Sequence, residues 1–127
     1  LLFGGCSSGF GPCPQGDLWR FDPRLRSWTE ITPATGPAAR TNPALVYDRS
    51  SEQFILIGGS TESGYMSDVW TGTSDGDAFA WASLEVGGEA PTGRASHDAV
   101  VHRGDVYLFG GISDAGALDD LWKLSLG

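Results

Sequence analysis

The chain has 127 residues, enough for one domain at most, and its 40% hydrophobic and 19% charged content supports a packed core rather than disorder. Net charge is −8 with Lys123 the only lysine, so phosphate backbones and anionic membrane surfaces are repelled and no nucleic-acid partner is expected. No apolar run approaches the length of a membrane-spanning helix, and no basic segment leads into an apolar one as in a signal peptide, so no membrane insertion is expected. Acidity of this size serves solubility first and a dedicated basic partner second.

In chain order, the apolar pattern predicts strands over 1–4, 17–21 and 27–31, then 41–48, 53–58, 67–72 and 79–85, then 95–102, 105–110 and 119–125. Turn residues fill the gaps at Asp48-Arg49-Ser50-Ser51, Asp75-Gly76-Asp77 and Arg103-Gly104. No segment shows helical periodicity. Leu1-Leu2-Phe3, Phe54-Ile55-Leu56-Ile57 and Val106-Tyr107-Leu108-Phe109 are continuous apolar runs, which predict strands buried on both faces. Each fully buried side chain in them contributes roughly 1.5–3 kcal/mol. The strand over 17–21 is more polar, with Leu18, Trp19 and Phe21 interleaved with Arg20 and Asp22.

The three apolar runs each end in a double glycine: Gly4-Gly5, Gly58-Gly59 and Gly110-Gly111. From Gly5 to Gly59 is 54 positions, and from Gly59 to Gly111 is 52. Each pair is followed by an Asp-apolar-Trp triplet ending at Trp19, Trp70 or Trp122, and a second tryptophan follows twice, Trp28 and Trp81. Upstream, Pro37-Ala38-Ala39-Arg40 matches Pro91-Thr92-Gly93-Arg94, again 54 apart. Landmarks recurring in one order and register are an internal repeat of about fifty residues.

This pattern resembles the kelch repeat: a basic residue opening a strand, an apolar run ending in Gly-Gly, then an aromatic and a tryptophan. The resemblance covers essentially the whole chain and implies an all-β kelch-type β-propeller of four-stranded antiparallel blades. Two departures stand out: His97 fits a position three after the arginine where Pro43 does not, and the third copy has no second tryptophan. The copies divide the chain into a partial blade lacking its first strand (1–31), a complete blade (40–85) and a partial blade lacking its last strand (94–125). About 2.5 blades fall short of the four to eight with which propellers close. The chain is therefore expected to be a piece of a longer propeller, or one contribution to a propeller assembled from several copies.

The resemblance implies a non-catalytic protein–protein interaction module or scaffold. One alternative is a fragment of a kelch-propeller enzyme, resembling galactose oxidase or the nitrile-specifier proteins, whose site lies in other blades. The Glu-x-x-x-Asp-x-x-x-His iron motif of the latter does not occur here. Another alternative is a structural subunit of a large assembly. No cofactor is expected.

Arg40 and Arg94 are candidate partner-binding residues. In the resembled family their position opens the innermost strand near the central channel, where guanidiniums can grip carboxylates bidentately. The alternative is a structural hydrogen bond to a neighbouring blade's carbonyls or acidic side chains. The first copy also carries a longer loop, since Gly5 to Trp19 is 14 positions against 11 in the other two. The extra residues fall in 6–16, with Cys6, Cys13 and Phe10, and loop insertions in repeat arrays often map to a binding face. Phe10 is the candidate it presents to a partner. Cys6 and Cys13 pair with each other if oxidised, adding about 2–3 kcal/mol; two reduced thiols are the alternative. Pairing favours an extracytoplasmic location and free thiols a cytoplasmic one.

Three further patterns have simpler readings. Gly5-Cys6-Ser7-Ser8-Gly9 matches the G-x-S-x-G of serine hydrolases, but Phe10-Gly11-Pro12-Cys13-Pro14 cannot start the helix that motif needs. His97 and His102, five apart along a strand, point to opposite faces and make no joint metal site. Asp75-Gly76-Asp77 needs only turn chemistry, not calcium.

Overall fold

The computed structural model describes residues 1–7 and 13–127. Ten strands form three antiparallel sheets, and no helix occurs among the described residues. The first sheet holds β1 (Leu2–Gly5), β2 (Gln15–Asp22) and β3 (Ser27–Ile31). The second holds β4 (Ala44–Asp48), β5 (Gln53–Thr61), β6 (Gly64–Asp75) and β7 (Ala78–Leu84). The third holds β8 (Asp98–His102), β9 (Asp105–Ser113) and β10 (Gly116–Ser125). Within each sheet every strand neighbours the next in sequence, so each is a meander of the propeller-blade type.

Two apolar layers stack the blades in chain order. Phe3, Leu18 and Ile31 of the first sheet meet Leu56, Trp70, Phe79 and Trp81 of the second. The opposite side of the second sheet, with Ile55, Ile57 and Val69, meets Ala99, Val106, Leu108 and Trp122 of the third. The three blades do not close into a ring. Burial on both faces holds for β5, where Ile55, Leu56 and Ile57 are 0–5% exposed. In β9 it fails: Leu108 is buried but Phe109 is 54% exposed, because no sheet covers the outer face of the third blade. Leu2, Phe21 and Trp28 are likewise exposed on the outer face of the first.

Strand limits differ from the sequence expectation in two regular ways. The hairpin strands run beyond the expected 67–72 and 119–125, reaching tight two-residue turns at 62–63 and 114–115. The innermost strands start later than 41 and 95. Thr41 and Ala95 make only isolated bridges, to Ser60 and Ile112, and the next residues, Asn42 and Ser96, take positive φ and break the extended chain.

The double glycines lie where the ladder slips register, between Ile57 and Gly59 in the second blade. Gly58 has φ +64°, and a Cβ there would sit 2.9 Å from both the Arg94 carbonyl oxygen and His97 Cε1, so only glycine fits this bulge between two blades. Strand directions give the stack two unlike faces. One, the loop face, collects residues 6–7 and 13–14 and segments 32–43, 62–63, 85–97 and 114–115. The other, the turn face, collects the short turns 23–26, 49–52, 76–77 and 103–104.

Candidate functional site

The chemistry of the loop face begins with a repeated clamp. Arg40 enters its blade just before β4 and is fully buried. Its Nη1 and Nη2 donate to the two carboxylate oxygens of Asp68 at 2.6 and 3.0 Å, Nη1 also to the Gly58 carbonyl, and Nε to the Ala38 carbonyl. Trp70 Nε1 completes the group by donating to Asp68 Oδ2 at 2.8 Å. Arg94, Asp120, Gly110, Thr92 and Trp122 repeat every contact in the third blade. The arginines' hydrogen bonds thus go to their own blade rather than to the neighbouring one, and their guanidiniums are turned away from solvent. Their backbones do the bridging, since Arg40 O accepts from Gly5 N and Arg94 O from Gly59 N.

These contacts set the electrostatics. Burial works to raise the Asp68 carboxyl, but the hydrogen bonds from Arg40 and Trp70 and the guanidinium charge outweigh it and hold it below the usual range. Asp120 is held further down by the same kind of contacts from Arg94 and Trp122. His97 is buried between the second and third blades, its Nε2 donating to the Ile57 carbonyl at 2.9 Å. Burial lowers its pKa, and with the nearby Arg94 charge it outweighs the hydrogen bond to Ile57, which raises it. His102, at the far end of β8, is exposed on the turn face. Asp77 accepts from Arg20 Nη2 at 2.9 Å across an open groove of about 740 Å³ between the first two blades, lined also by Glu30, Pro33 and Phe79.

Cys6 and Cys13 are joined as a disulfide at the root of the first-blade loop. Phe10 lies outside the described residues. Among the described residues, no three His, Cys, Asp or Glu side chains gather as a metal site would require. Among the described residues, no helix is long and apolar enough to cross a membrane.

A feature that the sequence reading missed is the placement of charge. The six exposed cations, Arg20, Arg24, Arg26, Arg49, Arg103 and Lys123, all lie in turn-face turns or within two residues of a strand's turn-face end. Six carboxylates stand with them. The loop-face half holds the other ten carboxylates, with Glu62, Glu85, Glu89 and Asp114 exposed in its loops, and only the buried Arg40 and Arg94 as cations. The whole net charge of −8 therefore resides in the loop-face half.

The KLHDC2/KLHL20/DRC7 Kelch-repeats domain model matches residues 1–127. The chain belongs to the kelch-repeat family. Kelch repeats are in general protein-interaction modules. This kelch chain is 30% identical over its full length to the dynein alpha chain of the flagellar outer arm of Chlamydomonas reinhardtii, of which it spans 3%. It is 29% identical, over 99% of its length, to a leucine-zipper-like transcriptional regulator 1 homolog of Drosophila melanogaster, of which it spans 13%. An F-box/kelch-repeat protein of Arabidopsis thaliana is 32% identical over 57% of the chain, which covers 16% of that protein.

Proposed function

We propose that these blades are a non-catalytic protein-interaction module that engages a lysine- and arginine-rich partner over the loop face. The observation that carries this reading is the segregation of charge: the face with the long connections and the disulfide loop holds all of the net negative charge, and every exposed cation lies elsewhere. Such a surface steers a basic segment toward it and rejects an acidic one, and it acts on association rate and specificity more than on raw affinity. The clamps supply rigidity beneath it, because each fixes a loop-face connection to its own blade.

The test uses fluorescent lysine- and arginine-rich peptides and acidic peptides of the same length. Binding of the basic set alone is expected, weakening as salt rises. Reversing Glu62, Glu89 and Asp114 to lysine should weaken it by about tenfold or more, whereas reversing Glu52 and Asp75 on the turn face should not. Equal binding of both peptide sets refutes the reading.

The likeness to a dynein chain of the flagellar outer arm favours one second reading, a structural element of a large assembly. Sedimentation of the native protein separates the two, since a structural element co-migrates with its assembly at every salt concentration short of dissociation.

A further inference from the structure

The turn face holds a cleft with two free guanidiniums. Arg49 opens the turn between β4 and β5, and Arg103 opens the turn between β8 and β9. The two lie 54 positions apart, the same offset as Arg40 and Arg94. Consecutive blades therefore repeat an arginine at the tip of the innermost hairpin. The tips are neighbours across the blade boundary, since a Cβ on Gly104 would lie 4.0 Å from Ser50 Oγ. A cleft of about 340 Å³ opens there, lined among others by Arg49, Arg103, Ser50, Gly104 and Asp48.

Elsewhere on this face, Arg20 pairs with Asp77 and Lys123 with Asp105. The guanidiniums of Arg49 and Arg103 have no hydrogen-bond or ion-pair partner among the described residues. A carboxylate does stand in their cleft, but its oxygens are taken. Ser50 and Ser51 donate to Asp48 through both hydroxyls and both amides, at 2.7–3.3 Å. Those bonds, the Ser51 hydroxyl first, hold its carboxyl below the usual range, so it stays ionised. Glu52 and His102 stand close to the two arginines in sequence but do not line the cleft.

We infer that this cleft binds a dianionic phosphate group carried on a phosphoserine or phosphothreonine of a partner protein. Two arguments select the ligand. One guanidinium fills a carboxylate, as Arg94 fills Asp120 here, whereas a phosphate monoester offers three oxygens to two forks. Asp48 also offsets one of the two positive charges, so a monoanion gains little net attraction and a dianion gains more. Both arginines are exposed at the turn tips, within reach of a group borne on a surface segment. The inference concerns the face opposite the acidic one and does not rest on the basic partner proposed there.

The test uses fluorescent peptides of one sequence carrying serine, phosphoserine or glutamate at the central position. Anisotropy should show binding of the phosphoserine peptide alone; equal binding of the glutamate peptide overturns the proposal. Arg49→Gln and Arg103→Gln should each weaken binding by about tenfold or more, whereas Arg24→Gln, on another turn of the same face, should not. Neither guanidinium holds another residue, so both variants should melt with the unmodified protein. Should one not fold, backbone NMR of the unmodified protein decides. Amide shifts at Ser50 and Gly104 on adding the phosphoserine peptide support the cleft, and shifts confined to other residues overturn it. Inorganic phosphate should displace the peptide only at concentrations far above the peptide's own. Displacement at matched concentration assigns the site to a small phosphate and overturns the protein partner.

Discussion

Arg94 meets Asp120 fork to fork, Nη1 to Oδ1 at 2.5 Å and Nη2 to Oδ2 at 2.8 Å, with one partner buried and the other partly open to water. That asymmetry orders the effects of breaking the pair. Asp120→Ala leaves a guanidinium that is only 2% exposed without its counter-charge, and should cost about 3–5 kcal/mol. Arg94→Ala leaves a carboxylate that is 37% exposed and can take water, so the loss comes from the unpaired Gly110 and Thr92 carbonyls and a cavity. It should cost about 2–4 kcal/mol. Urea denaturation of the two variants checks the order, and a smaller loss for Asp120→Ala would contradict it.

Stability should fall in two separate steps on acidification. His97 titrates below 6.5 in the folded protein, so the unfolded chain binds more protons once the pH drops past that value and stability declines there. Asp68 and Asp120 titrate below 3.8 when folded, so their contribution is intact above that pH and is lost as pH falls through the folded values. His97→Gln keeps an N–H donor within reach of the Ile57 carbonyl and has no charge to gain. Melting temperatures measured from about pH 8 down to about pH 2 should show the upper step vanish in that variant and the onset of the lower one persist.

The repeat was legible because its landmarks are local: a double glycine at a bulge, and an aspartate two residues before a tryptophan that it accepts from. The β-propeller class followed from their period. The clamp was not legible, since Arg40 and Asp68 are 28 residues apart and nothing along the chain says that a loop arginine folds back on its own blade. The aspartates were visible only as part of a triplet, although an acid at a fixed distance from each tryptophan was the available signal. Charge segregation was hidden for a different reason. Lys123 and Asp119 are four residues apart, yet they belong to opposite faces of the stack because β10 runs from one to the other.

Trp28 and Trp81 occupy the same rung of their sheets, opposite Phe21 and Gly72, yet they should respond very differently to truncation. Trp81 is 7% exposed and packs edge-on against Phe3 and Phe79. Gly72 makes room for both rings, since a Cβ there would lie 2.5 Å from Phe79 Cζ and 3.0 Å from Trp81 Cζ3. Trp81→Ala should cost about 3–5 kcal/mol. Trp28 is 52% exposed with Phe21 as its ring neighbour, and Trp28→Ala should cost about 1 kcal/mol or less. Parallel denaturation curves on this chain check the contrast. Equal losses would mean that the outer face of the first blade is already covered.

The bond between Cys6 and Cys13 closes a loop of separation seven between β1 and β2, in the one blade whose connection exceeds a tight turn. Cross-linking so short a loop restricts the unfolded chain by about 2–3 kcal/mol, and reductant should lower the unfolding free energy by that amount. A Cys6→Ser, Cys13→Ser variant should lose as much and then ignore reductant. Thiol counting on the natively made protein gives the independent check, with no free thiol expected until reductant is added. Two free thiols at the outset would place the chain in a reducing compartment, where this loop face must hold its shape without the cross-link.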